Sequence, residues 1–333
     1  MPKKDYTKRV KLIANPGAGD ETTAAARIEQ VTRCLLDLGL HVDVALAHPV
    51  AEAVSIAKKA VKKGYPTVIA MGGDGTISAV IRGIAGSDVH LGIIVAGTAN
   101  DIGASLGIPE DLQEACALIA SGHVRKLDLA QISTRKTKKF IFFMVTTVGL
   151  TSTLFPDLKD VPHGDFSNIK DAFRKLIHAE PEPTVYLTLD DESKIKVETM
   201  MVTVTNTPLI AAQNLVAPDA SMEDGLLDIA VYPNFTKAEV VSYFARSANE
   251  RQVPDGKIQR YRARKIKIKT DPKLEIAAEG ILLGKGKAKI KVLPRALHVI
   301  APEPGAGAEK PPAETGEKLP APVSAITGAK ADG

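Results

Sequence analysis

Residues 67–84 read TVIAMGGDGTISAVIRGI. An apolar run, residues 67–71, meets a glycine-rich turn, Gly72-Gly73-Asp74-Gly75-Thr76, which opens into an apolar helix ending at Ile84. A buried strand feeding a helix through such a turn is the repeating unit of a parallel sheet. The same alternation continues on both sides. Residues 10–14 form a short apolar run ending at Asn15-Pro16-Gly17, a turn signal. A helix is expected over 21–38, with Ile28, Val31, Leu35 and Leu38 on one face and Gly39 as its stop. Residues 41–47 and 90–96 read as further strands, and 51–63 as a helix with Ala53, Ile56, Ala57 and Ala60 inward. Strands this continuously apolar suit a sheet covered on both faces. Ligands of such sheets bind at the carboxyl ends of the strands, where three glycine-bearing loops fall.

From about residue 126 the pattern changes to short alternating segments: 126–133, 140–147, 184–190, 194–205, 227–232, 262–270 and 285–293. Alternation of period two with turn residues between runs argues an antiparallel sandwich or barrel. A helical insertion near 165–178 interrupts it, and a last strand covers 296–301. The expected architecture is α/β plus β. Residues 1–125, joined by about 295–302, form a doubly wound α/β domain, and 126–294 form an antiparallel β-sandwich. The tail, 303–333, has no aromatic residue and too little apolar surface to order itself.

Composition narrows the class. The chain has 333 residues, 44% hydrophobic and 25% charged, ordinary for two globular domains. A net charge of +4 is too small to argue nucleic-acid binding. The longest apolar stretch, 140–150, is too short for a membrane span, and the basic N-terminus runs into a strand without a signal-peptide core. Two distant cysteines, Cys34 and Cys116, exclude a disulfide scaffold and fit a reducing, cytoplasmic location. The histidines show no metal-ligand spacing.

Glycines at a strand end let backbone N–H groups approach an anion, and the following helix adds its positive dipole end. The spacing matches neither a Walker A loop nor GxGxxG. Asp74 among phosphate oxygens would be repulsive without a cation or a transferable proton, which points to Mg²⁺ chemistry or a proton relay. By itself Gly-Asp-Gly reads equally as a tight turn with a capping Asp. Two companion loops, Asn15-Pro16-Gly17-Ala18-Gly19 and Gly97-Thr98-Ala99-Asn100-Asp101, make turns alone a poor explanation.

Taken together these residues resemble the diacylglycerol kinase catalytic family, bacterial lipid kinases to which sphingosine and ceramide kinases are related. The matching elements are Asn15-Pro16-x-x-Gly19, Gly72 to Thr76, Gly97 to Asp101, Leu127-Asp128, Pro218-x-Ala220-x-x-x-Asp224-Gly225-x-Leu227-Asp228 and Pro294-x-Ala296-Leu297. The resemblance implies an ATP- and Mg²⁺-dependent lipid kinase with an NAD kinase- or phosphofructokinase-like first domain, and ATP and lipid meeting between the domains. It assigns Asn15, Gly19, Gly72, Gly73, Gly75, Thr76, Gly97, Thr98 and Asn100 to the nucleotide. Asp74 would act on the phosphates through water and Mg²⁺, with Asp101 and Asp128 in the cleft network. A metal site in the second domain would be formed by Ser221, Asp224 and Leu226, with backbone carbonyls contributing.

Departures cluster near the chemistry. The family's late Asp-Gly-Glu, source of a proposed general base, reads Glu279-Gly280-Ile281, leaving Glu279 as the carboxylate able to take that role. GGDGT continues as Ile77-Ser78-Ala79 rather than x-Asn-Glu. A nucleotide-contacting threonine is Ala47, a proline is Val95, an aromatic is Ile102, and a glycine-rich loop reads Ala211-Ala212-Gln213-Asn214. A catalytically weakened descendant that senses or carries nucleotide or lipid is therefore the alternative, with an NAD-kinase-type small-molecule kinase as a third.

Lys265, Lys267 and Lys269 alternate with isoleucines, and Lys285, Lys287, Lys289 and Lys291 with Gly286, Ala288 and Ile290. Period two puts each set on one strand face. Lysines that discourage edge pairing explain either strand alone. Neighbouring strands would instead pool seven lysines into a surface for anionic headgroups, placing the protein against the inner face of a membrane. Nucleic acid is not expected, since no aromatics are interleaved for stacking. The apolar residues of 151–178 read as core or as a flap over a lipid channel. Exposed strand edges leave a homodimer open.

Overall fold

The computed structural model describes residues 8–19, 22–149, 183–210, 214–236, 239 and 256–303. The insertion expected near 165–178, the 151–178 apolar cluster, residues 211–213 and the tail from 304 lie outside the described residues.

Five strands make a parallel sheet: β1 (Arg9–Ala14), β2 (His41–Leu46), β3 (Thr67–Gly72), β4 (His90–Val95) and the end of β17 (Lys287–Ile300), in the order β2-β1-β3-β4-β17. Successive side chains face opposite ways. Val10, Leu12, Ile69, Met71 and Ile94 pack with Val31 and Leu35 of α1 (Ala24–Asp37) and Cys116 and Ile119 of α5 (Leu112–Ser121). Ile13, Val68, Ala70, Leu91 and Ile93 pack on the other face with α2 (Glu52–Lys62), α3 (Asp74–Ile84) and α4 (Asp101–Leu106). Both faces are covered, as the near-continuous apolar strands require. Sequence reading set no bounds for α5. Its signal was Asp111, whose Oδ1 accepts the Gln113 and Glu114 amides at 2.9 and 3.0 Å, an ordinary N-cap.

The second half is an antiparallel sandwich. One sheet contains β5 (Val124–Thr134), β6 (Phe140–Phe142), β8 (Thr184–Leu189), the start of β9 (Ser193–Thr205), β14 (Lys265–Asp271) and the first part of β17. The facing sheet contains β7 (Val145–Gly149), the end of β9, β12 (Leu227–Pro233), β13 (Gln259–Ala263), β15 (Glu275–Ala278) and β16 (Ile281–Lys285). Val185, Leu187, Ile266, Ile268 and Ile290 meet Val202, Val204, Ile229, Val231 and Ile276 between them. A small hairpin, β10 (Leu209–Ile210) and β11 (Asn214–Leu215), stands apart.

Two expected strands divide and two others merge, each for a local reason. Residues 140–147 break into β6 and β7 because the Phe143 and Met144 amides turn to the Glu279 carboxylate. Residues 262–270 break at Arg264, whose amide and that of Lys265 go to Asp190. Residues 287–300 are instead one strand, bent by a register shift between Leu293 and Leu297 where Arg295 takes φ +52°. Lys285 is not on the β17 lysine face: it ends β16 and pairs with Glu275 at 2.9 Å.

Candidate active site

Three loops meet at the carboxyl ends of β1, β3 and β4. The Asn15 amide continues the sheet by donating to Met71 O at 3.0 Å, and its side chain reaches Thr76 Oγ1 at 3.3 Å. Asn15 Oδ1 accepts the Gly17 amide at 3.1 Å, while Arg27 of α1 donates to Ala18 O at 2.7 Å and pins the loop. Gly19 packs against the Ala96 carbonyl. The β3 and β4 loops touch backbone to backbone. A Cβ on Gly97 would stand 2.4 Å from Gly73 Cα, so neither a side chain there nor a looser turn would keep the two loops together. Asn100, at φ +55°, brackets Gly97, accepting its N–H at 3.0 Å and donating to its carbonyl at 3.1 Å. Gly75 and Thr98 are exposed on the open side.

Asp74 sits where these loops converge. Its Oδ2 accepts the Asp101 amide at 3.1 Å and its Oδ1 the Ile102 amide at 2.8 Å. The first residue of α3 thus caps α4 from outside, a charge-assisted arrangement that aligns one helix start against another. Asp101 is buried behind it. Asp74, Asp101, Asn100, Thr98, Gly97, Thr76, Gly75, Gly73, Gly72, Gly19 and Asn15 are all brought to this one place.

The remaining candidates sit on other elements. Asp128 is wholly buried, with Oδ2 accepting the Gly225 amide at 2.6 Å and Oδ1 the Arg295 amide at 2.7 Å. It anchors the 221–226 loop to the bend in β17. Glu279 is held at the far end of α3. Arg82 Nη1 donates to its Oε2 at 2.9 Å, and the Phe143 and Met144 amides donate to its Oε1 at 2.7 and 3.2 Å. Arg82 lies a helix rise of ~12 Å from Asp74 along α3. As placed, Glu279 ties the β15–β16 turn to α3, and the exposed side chain two residues on is Ile281, which cannot accept a proton.

The residues expected at the second-domain metal site are engaged with neighbouring groups. Asp224 Oδ1 accepts the Leu226 amide at 2.9 Å, and Oδ2 is taken by the Arg262 guanidinium. Arg262 also reaches Asp228 at 3.2 Å. Burial pushes the Asp228 carboxyl up, against the pull of Arg262. Ser221 Oγ accepts the Glu223 amide at 3.3 Å. The Arg262 guanidinium lies against the Asp224 carboxylate, and the Ser221, Asp224 and Leu226 loop is closed by its own hydrogen bonds. Among the described residues no cluster of three or more His, Cys, Asp or Glu side chains occurs.

Sequence reading missed Arg27, which closes its own loop on Ala18, and Arg82, Arg262 and Arg295, each of which acts on a partner remote in the chain. Only pairing register reveals Arg262 opposite Asp228. The departures Ser78, Ala79, Ala47 and Ile102 are buried, and Val95 packs against Gly103. Their size is set by packing around α3 and α4.

Backbone donors gathered at strand ends around a carboxylate capped by helix amides are suited to phosphoryl groups, and on this two-part fold they define a kinase class. Known proteins narrow that class. The profile described as "Diacylglycerol kinase catalytic domain" matches residues 9–132, and "YegS C-terminal NAD kinase beta sandwich-like domain" matches 160–301. The diacylglycerol kinase of Bacillus subtilis is 27% identical over 307 residues, spanning 89% of this chain and 97% of its own. That of Mycobacterium tuberculosis is 27% identical over 300 residues, spanning 89% and 96%. Two solved structures from Bacillus anthracis str. Sterne share the fold, each covering 89% of this chain and 98% of its own at 21% identity. Their TM-scores are 0.71 and 0.67, and the second is described as a diacylglycerol kinase. The chain belongs to the diacylglycerol kinase family as a divergent member.

Proposed function

We propose that the protein transfers the γ-phosphoryl group of ATP to a hydroxyl of diacylglycerol or a similar amphiphilic alcohol, between its two halves. The observation that carries this reading is the Gly73–Gly97 contact with Asp74 fixed beside it. In this reading Asn15, Gly19, Gly72, Gly73, Gly75, Thr76, Gly97, Thr98 and Asn100 receive the nucleotide. The hard oxygens of Asp74 and Asp101, beside exposed Gly75, suit a nucleotide-borne Mg²⁺, which takes one or two carboxylates plus substrate phosphates. When bound, that ion would neutralise phosphate charge. Asp128 keeps the 221–226 loop in register. An attacking alcohol still needs a proton acceptor, worth ~10²–10⁴-fold. Glu279 fills that role only by leaving Arg82 and two amides, and turnover unchanged in Glu279→Gln would remove it from the role.

That engagement of Glu279, with Ile281 43% exposed beside it, favours one second reading: a weakened family member that binds nucleotide or lipid as a sensor or carrier. The deciding experiment is Mg²⁺-dependent transfer of labelled γ-phosphate to diacylglycerol, monoacylglycerol and sphingosine in mixed micelles, with NAD as a soluble acceptor. Transfer to a lipid that disappears in Asp74→Ala supports the kinase. ATP binding altered by Asp74→Ala without transfer supports the second reading. Transfer to NAD alone overturns both, and no ATP binding removes the kinase and the nucleotide sensor.

A further inference from the structure

The register of β14 against β17 sets Lys265 directly opposite Lys291, Lys267 opposite Lys289 and Lys269 opposite Lys287. Every one of these side chains is exposed on the outer face of the sandwich. Like charges directly opposed across a ladder destabilise it. Edge protection does not account for them, because β14 lies between β8 and β17, and β17 between β14 and β5. The rows continue outward. Thr188 and Lys194 extend the Lys267 row, and Tyr186 and Lys196 the Lys269 row, so eight lysines share one face of the sheet.

Acids on this face are fewer: Asp271 and Glu198 end it in the row beyond Lys269 and Lys196, and Asp191 lies at its other end. Asp191 pairs with Lys267 at 2.5 Å and lies 3.9 Å from Lys265. Lys267 foremost, with Lys265 and Lys289, holds the Asp191 carboxyl below its ordinary range. Lys269 lies over the Tyr186 ring at 5.2 Å. Among the described residues, Lys287, Lys289 and Lys291 form no ion pair. Three opposed pairs kept in the interior of a sheet call for an external polyanion.

We propose that this face docks on the anionic surface of a lipid bilayer, a choice of polyanion that rests on the lipid-kinase reading above. The sheet face presents ammonium groups on flexible stems that can reach headgroups, and half-exposed Tyr186 is an interfacial side chain. Nucleic acid is the poorer match, since no arginine lies in these rows to fork onto phosphates and Tyr186 alone offers a stacking ring.

The test is co-sedimentation of the full chain with vesicles of phosphatidylcholine, or of phosphatidylcholine with about 30% phosphatidylglycerol, in low and high salt. The informative variant is the triple Lys287→Glu, Lys289→Glu and Lys291→Glu. It turns each opposed pair into an attractive one, so its melting temperature should rise, which excludes misfolding as a cause of lost binding. Each unit of surface charge is worth about fivefold near an anionic leaflet, so removing six should weaken partitioning by at least a hundredfold. The expected result is sedimentation with anionic vesicles only, abolished by high salt and by the variant. Equal binding to both vesicles, unchanged binding by the variant, or tighter binding to a DNA duplex than to anionic vesicles would overturn the proposal. The readout needs no ATP. Vesicle binding without transfer sinks only the kinase reading, and transfer without vesicle binding sinks only this one.

Discussion

At the scale of the residue, Asp128 shows how one buried carboxylate organises distant chain. Its side chain takes the amides of Gly225 and Arg295, its own amide donates to Met222 O at 2.7 Å, and its carbonyl accepts Asn206 Nδ2 at 3.1 Å. Hydrogen bonds to a charged group contribute ~1.5–3 kcal/mol each, and orphaned buried amides add to the loss. Asp128→Ala should therefore cost about 3–5 kcal/mol, and Asp128→Asn, which keeps one acceptor, about half of that. Urea unfolding would read this as a lower midpoint at unchanged slope. Near-native stability in Asp128→Ala would instead assign the residue to chemistry. Much of the site's membership was legible, because loops of glycine, Asn and Asp at strand ends announce themselves in short stretches. Its wiring was not. Gly225 and Arg295 stand 97 and 167 positions from Asp128, and Arg82 stands 197 from Glu279, separations that no local pattern encodes.

At the scale of the element, β4 and β17 meet in a parallel pair that sets His90 beside His298. The rings are edge to face with centroids 6.2 Å apart, and His298 Nδ1 is buried without a partner. Burial first, and then His298, hold the His90 ring below its ordinary value of 6.5, against the pull of Asp88. The folded state therefore binds this proton less well than the unfolded chain does. Its contribution to stability is present above about pH 6.5 and is lost as pH falls further. His123 has the opposite sign. The Ala301 carbonyl, then Glu303, raise it, so its contribution is present at low pH and lost on the alkaline side. Melting temperatures of wild type and His90→Gln at pH 5, 6, 7 and 8 would separate them, and the difference should shrink as the medium is acidified. A difference that is constant with pH would mean that His90 is neutral packing. Period-two and helical patterns located these elements well where the backbone satisfies itself. They failed at Phe143, Arg264 and Arg295, where a carboxylate rather than a neighbouring strand receives the amide. The alternation of lysines was equally plain in the sequence, but only register shows that the lysines face each other and that neither strand is an edge.

At the scale of the molecule, the two halves are not beads on a linker. β17 pairs with β14 and β5 inside the sandwich, bends at Arg295, and continues as the strand beyond β4 of the parallel sheet, with β5 alongside for its whole course. The Arg82–Glu279 bridge, with side chains 15% and 4% exposed, adds a second tie between α3 and the β15–β16 turn. A division before β5 would remove the strand that covers β4, leaving His90–Val95 as an open apolar edge, and would strip the Leu127, Leu297 and Val299 side chains from the core over α2 and α3. Open edges of that kind pair with other chains rather than with water. A fragment of residues 1–125 is therefore expected to aggregate or remain unfolded, and the intact protein to melt in one transition with calorimetric and van't Hoff enthalpies equal. Arg82→Ala should lower that single melting point without dividing it, since it leaves a buried carboxylate uncompensated at a cost of about 3–5 kcal/mol. Two resolved transitions in the wild type, or a soluble and cooperatively folded fragment, would show that the shared strand is a connection and not a common core.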